Sequence, residues 1–362
     1  MPAEYYIILR DPSGNKVAEI DDFWDLTYSK RRWEPGLAQF SMDGNSSKIP
    51  LFVSNAQIEV WRRNPQQGID WYCDFYGLFR KQVRETPNQI DYFRVFAPGQ
   101  MTMLGWACVM WPDKTTGRSV FTGLPAESIM KKLVNWNVTT NATTANGRLV
   151  SWPFSTISVQ TDGGRGNTID WKCALKNLLT ELQSIAAVAG GDFDLVKTGP
   201  AAWEFRFYPG QMGTDRTATV QFALNLGNMA EPKYTRDQTN EATIAVVGGK
   251  GDARDRTFVT VTGATYNIAT NYIETFVTAT DQDSNAYLTA KGKEALYKAQ
   301  ARNQFGFTVL QTPSTQYGRD YFMGDLVRAN YKGFIFNQVI HGVTVNYPKE
   351  GKETIRVETR DL

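Results

Sequence analysis

Apolar runs broken by turn residues make the first hundred positions read as a series of strands, with period-2 alternation visible over 57–62. In Gln57-Ile58-Glu59-Val60-Trp61-Arg62 this puts Ile58, Val60 and Arg62 on one face of a strand and Glu59 and Trp61 on the other. EYYIILRD, KVAEID, FWDLTYSKRRW, AQFSMDG, DWYCDFYGLFRKQVRE and DYFRVFAP are strand-like runs as well. Turn residues such as Pro12-Ser13-Gly14-Asn15 and Pro35-Gly36 separate the runs at the spacing of a small barrel or sandwich. The period then changes. Residues 125–135 predict a helix, with Pro125 at its start, Glu127 near the positive end, Lys131 and Lys132 near the negative end, and a stripe of Ile129, Met130, Leu133 and Val134. A second helix is predicted over about 170–189, with Trp171, Ala174, Leu175, Leu178, Leu179, Leu182 and Ile185 as its stripe and Gly190-Gly191 as its stop.

Strand patterns return in WEFRFYP, TATVQFAL, ATIAVVGG, RTFVTVTG and NYIETFVTAT. A single helix over about 286–303 follows, facing inward with Leu288, Ala295, Leu296 and Ala299. Gly292 inside it costs about 1 kcal/mol relative to Ala, which calls for close packing there or a frayed first turn. FGFTVLQ, DYFMGDLVRANY, FIFNQVIHGVTVNY and ETIRVETRD close the chain as strands. The fold class read from this order is mainly β with an α/β insert. It divides as a first β-module over 1–105, a mixed domain over 106–235 and a second β-module with one helix over 236–362.

Composition narrows the function classes. Lys plus Arg number 39 against 37 for Asp plus Glu, so the net charge of +2 gives no general footprint for nucleic acid or an anionic membrane. The aromatic share of 13% favours aromatic-filled β cores; sugar stacking or a large subunit interface is the sharper alternative. Cys73, Cys108 and Cys173 are odd in number and far apart, and read as buried small hydrophobes rather than a disulfide framework or a zinc site. No run of about 18 apolar residues occurs, so no membrane span is expected.

Candidate chemistry falls away motif by motif. His341 is the sole histidine, which removes HExxH and two-histidine metal sites, and it sits in an alternating run as a strand residue paired with a neighbour or facing solvent. Gly163-Gly164-Arg165-Gly166-Asn167 lacks the phosphate-loop pattern, and Gly248-Gly249-Lys250-Gly251 is followed by a strand rather than a helix, so both read as turns. Asp281-Gln282-Asp283-Ser284-Asn285 begins like a calcium loop. Ala286 and Gly292, however, stand where the turn glycine and the bidentate glutamate belong, which leaves a helix cap at Ser284 or Asn285. Lys30-Arg31-Arg32 and Arg62-Arg63 read as solvated edges or subunit salt bridges rather than phosphate contacts. No catalytic, cofactor-binding or metal-ligating residue is assigned.

The order of these signals resembles the tail-hub (tail-tip or baseplate-hub) family of long-tailed phages, in its siphophage and prophage branch. The carrying residues are the helix KGKEALYKAQARN, then Tyr317-Gly318-Arg319-Asp320-Tyr321, Gly324-Asp325-Leu326-Val327 and FNQVIHGVTVNYPKEG. Upstream, AESIMKKLVNWNV, CALKNLLTELQSIAAVAGGDFDL and the passage from Leu226-Gly227-Asn228-Met229 to Val247-Gly248-Gly249 agree in order, so the resemblance spans about 1–362. It implies two small β-barrel modules in each subunit and a homotrimer that forms a pseudo-sixfold ring. It also implies contact with a hexameric distal tail or tail-tube protein, a trimeric tail fibre or spike, and the tape-measure protein. The protein is then a virion component of the tail tip, made in the host cytoplasm, without specific nucleic-acid binding or enzymatic activity. Because the sequence stops at Leu362, any peptidase or lysozyme-like module is expected on another protein. A carbohydrate-binding receptor module and a cell-wall hydrolase are the competing classes.

Overall fold

The computed structural model describes residues 3–153, 156–280, 284–350 and 352–360. The first stretch holds β1 (Glu4–Arg10), β2 (Lys16–Ile20), β3 (Trp24–Arg31), β4 (Glu34–Asp43), β5 (Gln57–Asn64), β6 (Ile69–Leu78), β7 (Lys81–Glu85) and β8 (Tyr92–Pro98). The middle holds β9 (Ser119–Pro125), α1 (Ala126–Val138), β10 (Ile157–Val159), β11 (Thr168–Cys173), α2 (Leu178–Ala189), β12 (Asp192–Gly199), β13 (Ala202–Tyr208), β14 (Gln221–Ala223) and β15 (Met229–Asp237). The last holds β16 (Ile244–Gly248), β17 (Phe258–Thr262), β18 (Glu274–Thr278), α3 (Asn285–Lys298), β19 (Arg302–Val309), β20 (Leu326–Tyr331), β21 (Phe334–Tyr347) and β22 (Thr354–Arg360).

The two ends of the chain share one sheet. Its strands run β15-β19-β22-β21-β3-β4-β8-β7, with β20 pairing β21 and β14 pairing β20. The seam lies between β21 and β3, where Val343 faces Lys30 and Val345 faces Tyr28 in antiparallel register. A second sheet, β2-β1-β5-β6, packs its apolar face on this one. Ile7, Leu9, Ile58 and Val60 from the smaller sheet join Tyr28, Phe40, Val95, Phe305, Val343 and Val357 from the larger in a single buried core. The mainly β class is as expected. Among the described residues no closed barrel is formed: β15 and β7 end the long sheet, and β6 meets the chain just past β8 through an isolated bridge, Gly77 to Gly99.

The middle of the chain builds its own core. Helices α1 and α2 pack on the β9-β11 pair and the β10-β13-β12 sheet around Trp171, Leu133, Leu182, Phe193 and Phe205. Lys131, expected near the negative end of the helix, lies at its middle because α1 continues to Val138, and it is buried. Its ammonium donates to Glu127 one turn earlier at 2.5 Å.

The predicted second helix is shorter than its stripe suggested. Residues 168–173 form strand β11, with Trp171 buried and Leu175 exposed at φ +59°. Asn177 then caps α2, its side-chain oxygen accepting the Thr180 N–H at 3.2 Å. The apolar spacing of Trp171, Ala174 and Leu175 fitted a helix, but tertiary pairing of β11 with β9 decides the local structure.

Helix α3 covers the β17-β16-β18 sheet and ends at Lys298, short of the expected 303, because β19 begins at Arg302. Ser284 is its cap, accepting the Tyr287 N–H. Asp281, Gln282 and Asp283 of the calcium-like run lie outside the described residues.

Candidate interaction surfaces

His341 sits at a bulge in β21, where the register shifts between Ile340 and Gly342. It neither faces solvent nor finds a partner as expected: it is buried, and its Nε2 has no hydrogen bond among the described residues. Burial, reinforced by the guanidiniums of Arg360, Arg32, Arg31 and Arg302, pushes its pKa down to about 3. The imidazole is therefore neutral at pH 7, in a setting that opposes the imidazolium a general base must form.

The basic runs are consumed inside the chain. Lys30 donates to Asp74 at 2.9 Å, Arg31 to Glu358 at 3.1 Å, and Arg32 to the buried Asp192. Arg62 holds Glu353, while Arg63 holds Glu4 and lies over Trp71. Arg165 in the Gly163–Asn167 turn clamps Glu127 with its backbone N–H at 2.9 Å and its Nε at 2.8 Å. Burial raises the Glu127 carboxyl, but the Arg165 and Lys131 bonds outweigh it and hold the pKa at about 2. The Gly248 run turns into β17, with the Arg256 side chain beside Gly248. Of the cysteines, Cys173 is buried and Cys73 half-buried, whereas Cys108 is exposed, contrary to the expectation of three buried thiols.

A cavity of about 310 Å³ opens where the insert meets the long sheet, lined by Lys30, Trp33, Asp74, Tyr76, Asp194 and Lys197 among others. Its polar groups are mostly committed. Asp74 accepts from Tyr28, Lys30 and Tyr317, and Lys197 donates to Gln57 and Glu59. Burial pushes the Asp194 carboxyl up. Among the described residues, no three His, Cys, Asp or Glu side chains gather as a metal site.

Apolar exposure is the more distinctive surface property. At one end of the long sheet Leu224, Leu226, Tyr234, Phe334 and Ile335 are exposed, with Tyr234 and Phe334 both near Phe336. On the β17-β16-β18 sheet Phe258, Ile268, Tyr272, Ile273 and Phe276 are exposed. Contiguous exposed apolar side chains mark interaction surfaces. No tryptophan is among the exposed large apolar residues described, so the aromatic share reflects mostly cores. Among the described residues no helix is long and apolar enough to cross a membrane.

Sequence reading did not single out a set of cations on the outward face of the long sheet: Lys233, Arg302, Arg356 and Arg360. They are scattered over three strands, and only the alternation Arg356-Val357-Glu358-Thr359-Arg360 could have hinted at a charged face.

Residues 6–359 match the family of Siphovirus ReqiPepy6 Gp37-like proteins. The chain belongs to that family. Its fold is also that of known tail proteins. The 43 kDa tail protein of prophage MuSo2 from Shewanella oneidensis superposes with a TM-score of 0.63 at 11% identity, over 99% of this chain and 98% of that one. A tail protein from Neisseria meningitidis MC58 gives 0.59 at 12% identity, over 99% and 97%. Prophage tail protein gp18 from Listeria monocytogenes EGD-e gives 0.56 at 13% identity, over 98% and 94%. No curated protein matches the chain. The chain is thus a member of a siphovirus protein family with the fold of phage and prophage tail proteins, in line with the resemblance.

Proposed function

We propose that the protein is the structural hub of a siphophage tail tip. In this reading three copies form a pseudo-sixfold ring that joins a hexameric distal tail or tail-tube protein to a trimeric fibre or spike, with the tape-measure protein as a further contact. The observation that carries it is the long sheet. β-strands of 1–105 and of 236–362 meet edge to edge at β3 and β21 over one core, so a single subunit can present two β-modules side by side around the 106–235 insert. Such a subunit is a symmetry adaptor whose function lies in large interfaces rather than a pocket. Two further features support a non-enzymatic role: the commitment of the cavity's charged groups to internal bonds, and the burial of the sole histidine.

Light scattering on the purified chain tests the reading. A trimer of about 122 kDa, three times 40.8 kDa, is expected, either alone or on adding the neighbouring tail-tip proteins. A chain that stays monomeric with those proteins present would overturn it. Peptidoglycan zymography is expected to show no clearing band, and a band would favour the hydrolase.

A further inference from the structure

Side chains of a strand alternate between its two faces. On β22, Ile355, Val357 and Thr359 are buried, which leaves Arg356, Glu358 and Arg360 together on the outward face. Gln304 and Gly306 of β19 lie opposite Arg360 and Glu358, and Lys233 of β15 lies opposite Gly306. Together they wall a depression of about 200 Å³. Gly306 lies at its floor, where a Cβ would meet Arg356 Nη2 at an ordinary contact distance of 3.7 Å.

Cations outnumber anions in the wall of the depression, where Lys233, Arg356 and Arg360 stand with Glu358. Glu358, the only carboxylate in its wall, is already held by Arg31 at 3.1 and 3.4 Å. Among the described residues no carboxylate stands at ion-pair distance from Lys233, Arg302, Arg356 or Arg360, although Asp237 lies opposite Arg302 across the β15-β19 pair and Glu34 lies within electrostatic reach of Arg360; Arg302 donates to the Lys298 carbonyl at 3.5 Å. Burial first, and then the neighbouring Arg302, lower the Arg360 pKa against the opposing pull of Glu34 and Glu358. The buried His341 Nε2, also without a partner, adjoins the same guanidiniums. A partly buried guanidinium without an acceptor is costly, and a carboxylate supplies strong, charge-assisted hydrogen bonds.

We propose that this depression is an anion site that receives carboxylate side chains from an acidic segment of a partner protein. The charge pattern selects that occupant. Glu358 stands between Arg356 and Arg360, so the face reads cation, anion, cation, which suits discrete carboxylates and repels a continuous polyanion such as a nucleic-acid backbone. Arg356 and Arg360 are four residues apart, about 13 Å along a strand, a span that two acidic residues of an extended segment can match. The inference stands on the charges of this chain and does not depend on the hub reading.

The test titrates full-length protein into a fluorescein-labelled hexaglutamate peptide at low ionic strength and follows anisotropy. Saturable binding is expected, weakened at least tenfold in Arg356→Gln and in Arg360→Gln. Lys48→Gln, which removes an ammonium bound to Asp22 elsewhere, should leave it unchanged. Arg356 is exposed, so its variant should keep the wild-type circular dichroism spectrum even if the Arg360 variant folds poorly. Because His341 is the sole histidine, its imidazole resonances are expected to shift on peptide addition. Absence of saturable binding, equal affinity in Arg356→Gln, or tighter binding of a single-stranded oligonucleotide of equal charge would overturn the proposal.

Discussion

Arg62 of β5 and Glu353, just ahead of β22, form a buried two-pronged ion pair: Nε donates to Oε2 at 2.7 Å and Nη2 to Oε1 at 2.8 Å. The same guanidinium donates to the Tyr317 carbonyl at 3.1 Å and the Tyr72 hydroxyl at 3.2 Å. The pair thus ties the smaller sheet to the end of the chain. Removing one partner strands the other charge in apolar surroundings, at about 3–5 kcal/mol. Glu353→Gln and Arg62→Met are each expected to lower the urea midpoint by a corresponding amount. The double variant Arg62→Met with Glu353→Leu should lose less than the two single losses combined. A single-variant loss below about 1 kcal/mol would mean that the pair behaves as a solvent-screened one.

Gly292 answers the question its place in a helix raised. A Cβ there would lie 2.6 Å from Val261 Cγ2 and 3.0 Å from Val247 Cγ2, so α3 packs on its sheet through the missing side chain. At an exposed helix position Gly→Ala stabilises by about 1 kcal/mol. Here overpacking should reverse the sign, and Gly292→Ala is expected to destabilise by about 1–3 kcal/mol in thermal unfolding. Combining it with Val261→Ala should recover part of the loss. A stabilised Gly292→Ala protein would show that the contact relaxes freely.

How much of this was legible in the sequence depended on whether a signal was local. Period-2 alternation placed β5 and the strands around it, and the Pro125 and Gly190 punctuation placed α1 and the end of α2. The first two turns of the predicted second helix failed because Trp171 and Leu175 fit a helical stripe, while pairing of β11 with β9 is a long-range contact, Cys173 with Ser119 for example. The seam of β3 with β21 joins residues more than 300 positions apart, and no periodicity encodes it. The same holds for the cations around Gly306, which only the register of β15, β19 and β22 brings together.

Glu294 of α3 fastens that helix to the insert. It accepts from Ser184 of α2 at 2.9 Å, from Lys291 at 2.8 Å and from Lys298 at 2.6 Å. Burial alone would raise its carboxyl, but Lys291 and Lys298 hold the pKa at about 2. Glu294→Ala leaves Lys291 half of its setting, over the Trp171 ring at 4.2 Å but without a counter-charge. Amide exchange is expected to quicken in α3 and β16–β18 while β21 and β22 stay protected. Uniform acceleration across both regions would show instead that the bond supports the whole fold.

His341 sets a pH dependence that a single substitution removes. Its folded pKa of about 3 lies below the ordinary 6.5, so below pH 6.5 the unfolded chain binds a proton that the folded chain refuses. The stability it confers is complete above pH 6.5 and lost as pH falls towards 3, with a limiting slope of about 1.4 kcal/mol per pH unit. Carboxylates with depressed pKa, such as Glu294, begin to act only near 4.5. Between pH 6.5 and 5 the loss should therefore come from the sole imidazole. Wild-type protein is expected to lose stability over that window in urea titrations, and His341→Gln to show no loss there, because the buried Asp194 carboxyl, pushed up, acts with the opposite sign. Proton NMR supplies an independent check, since the His341 ring should remain neutral at pH 5. An imidazole that titrates near 6.5 would show that neither burial nor the surrounding arginines oppose its charge.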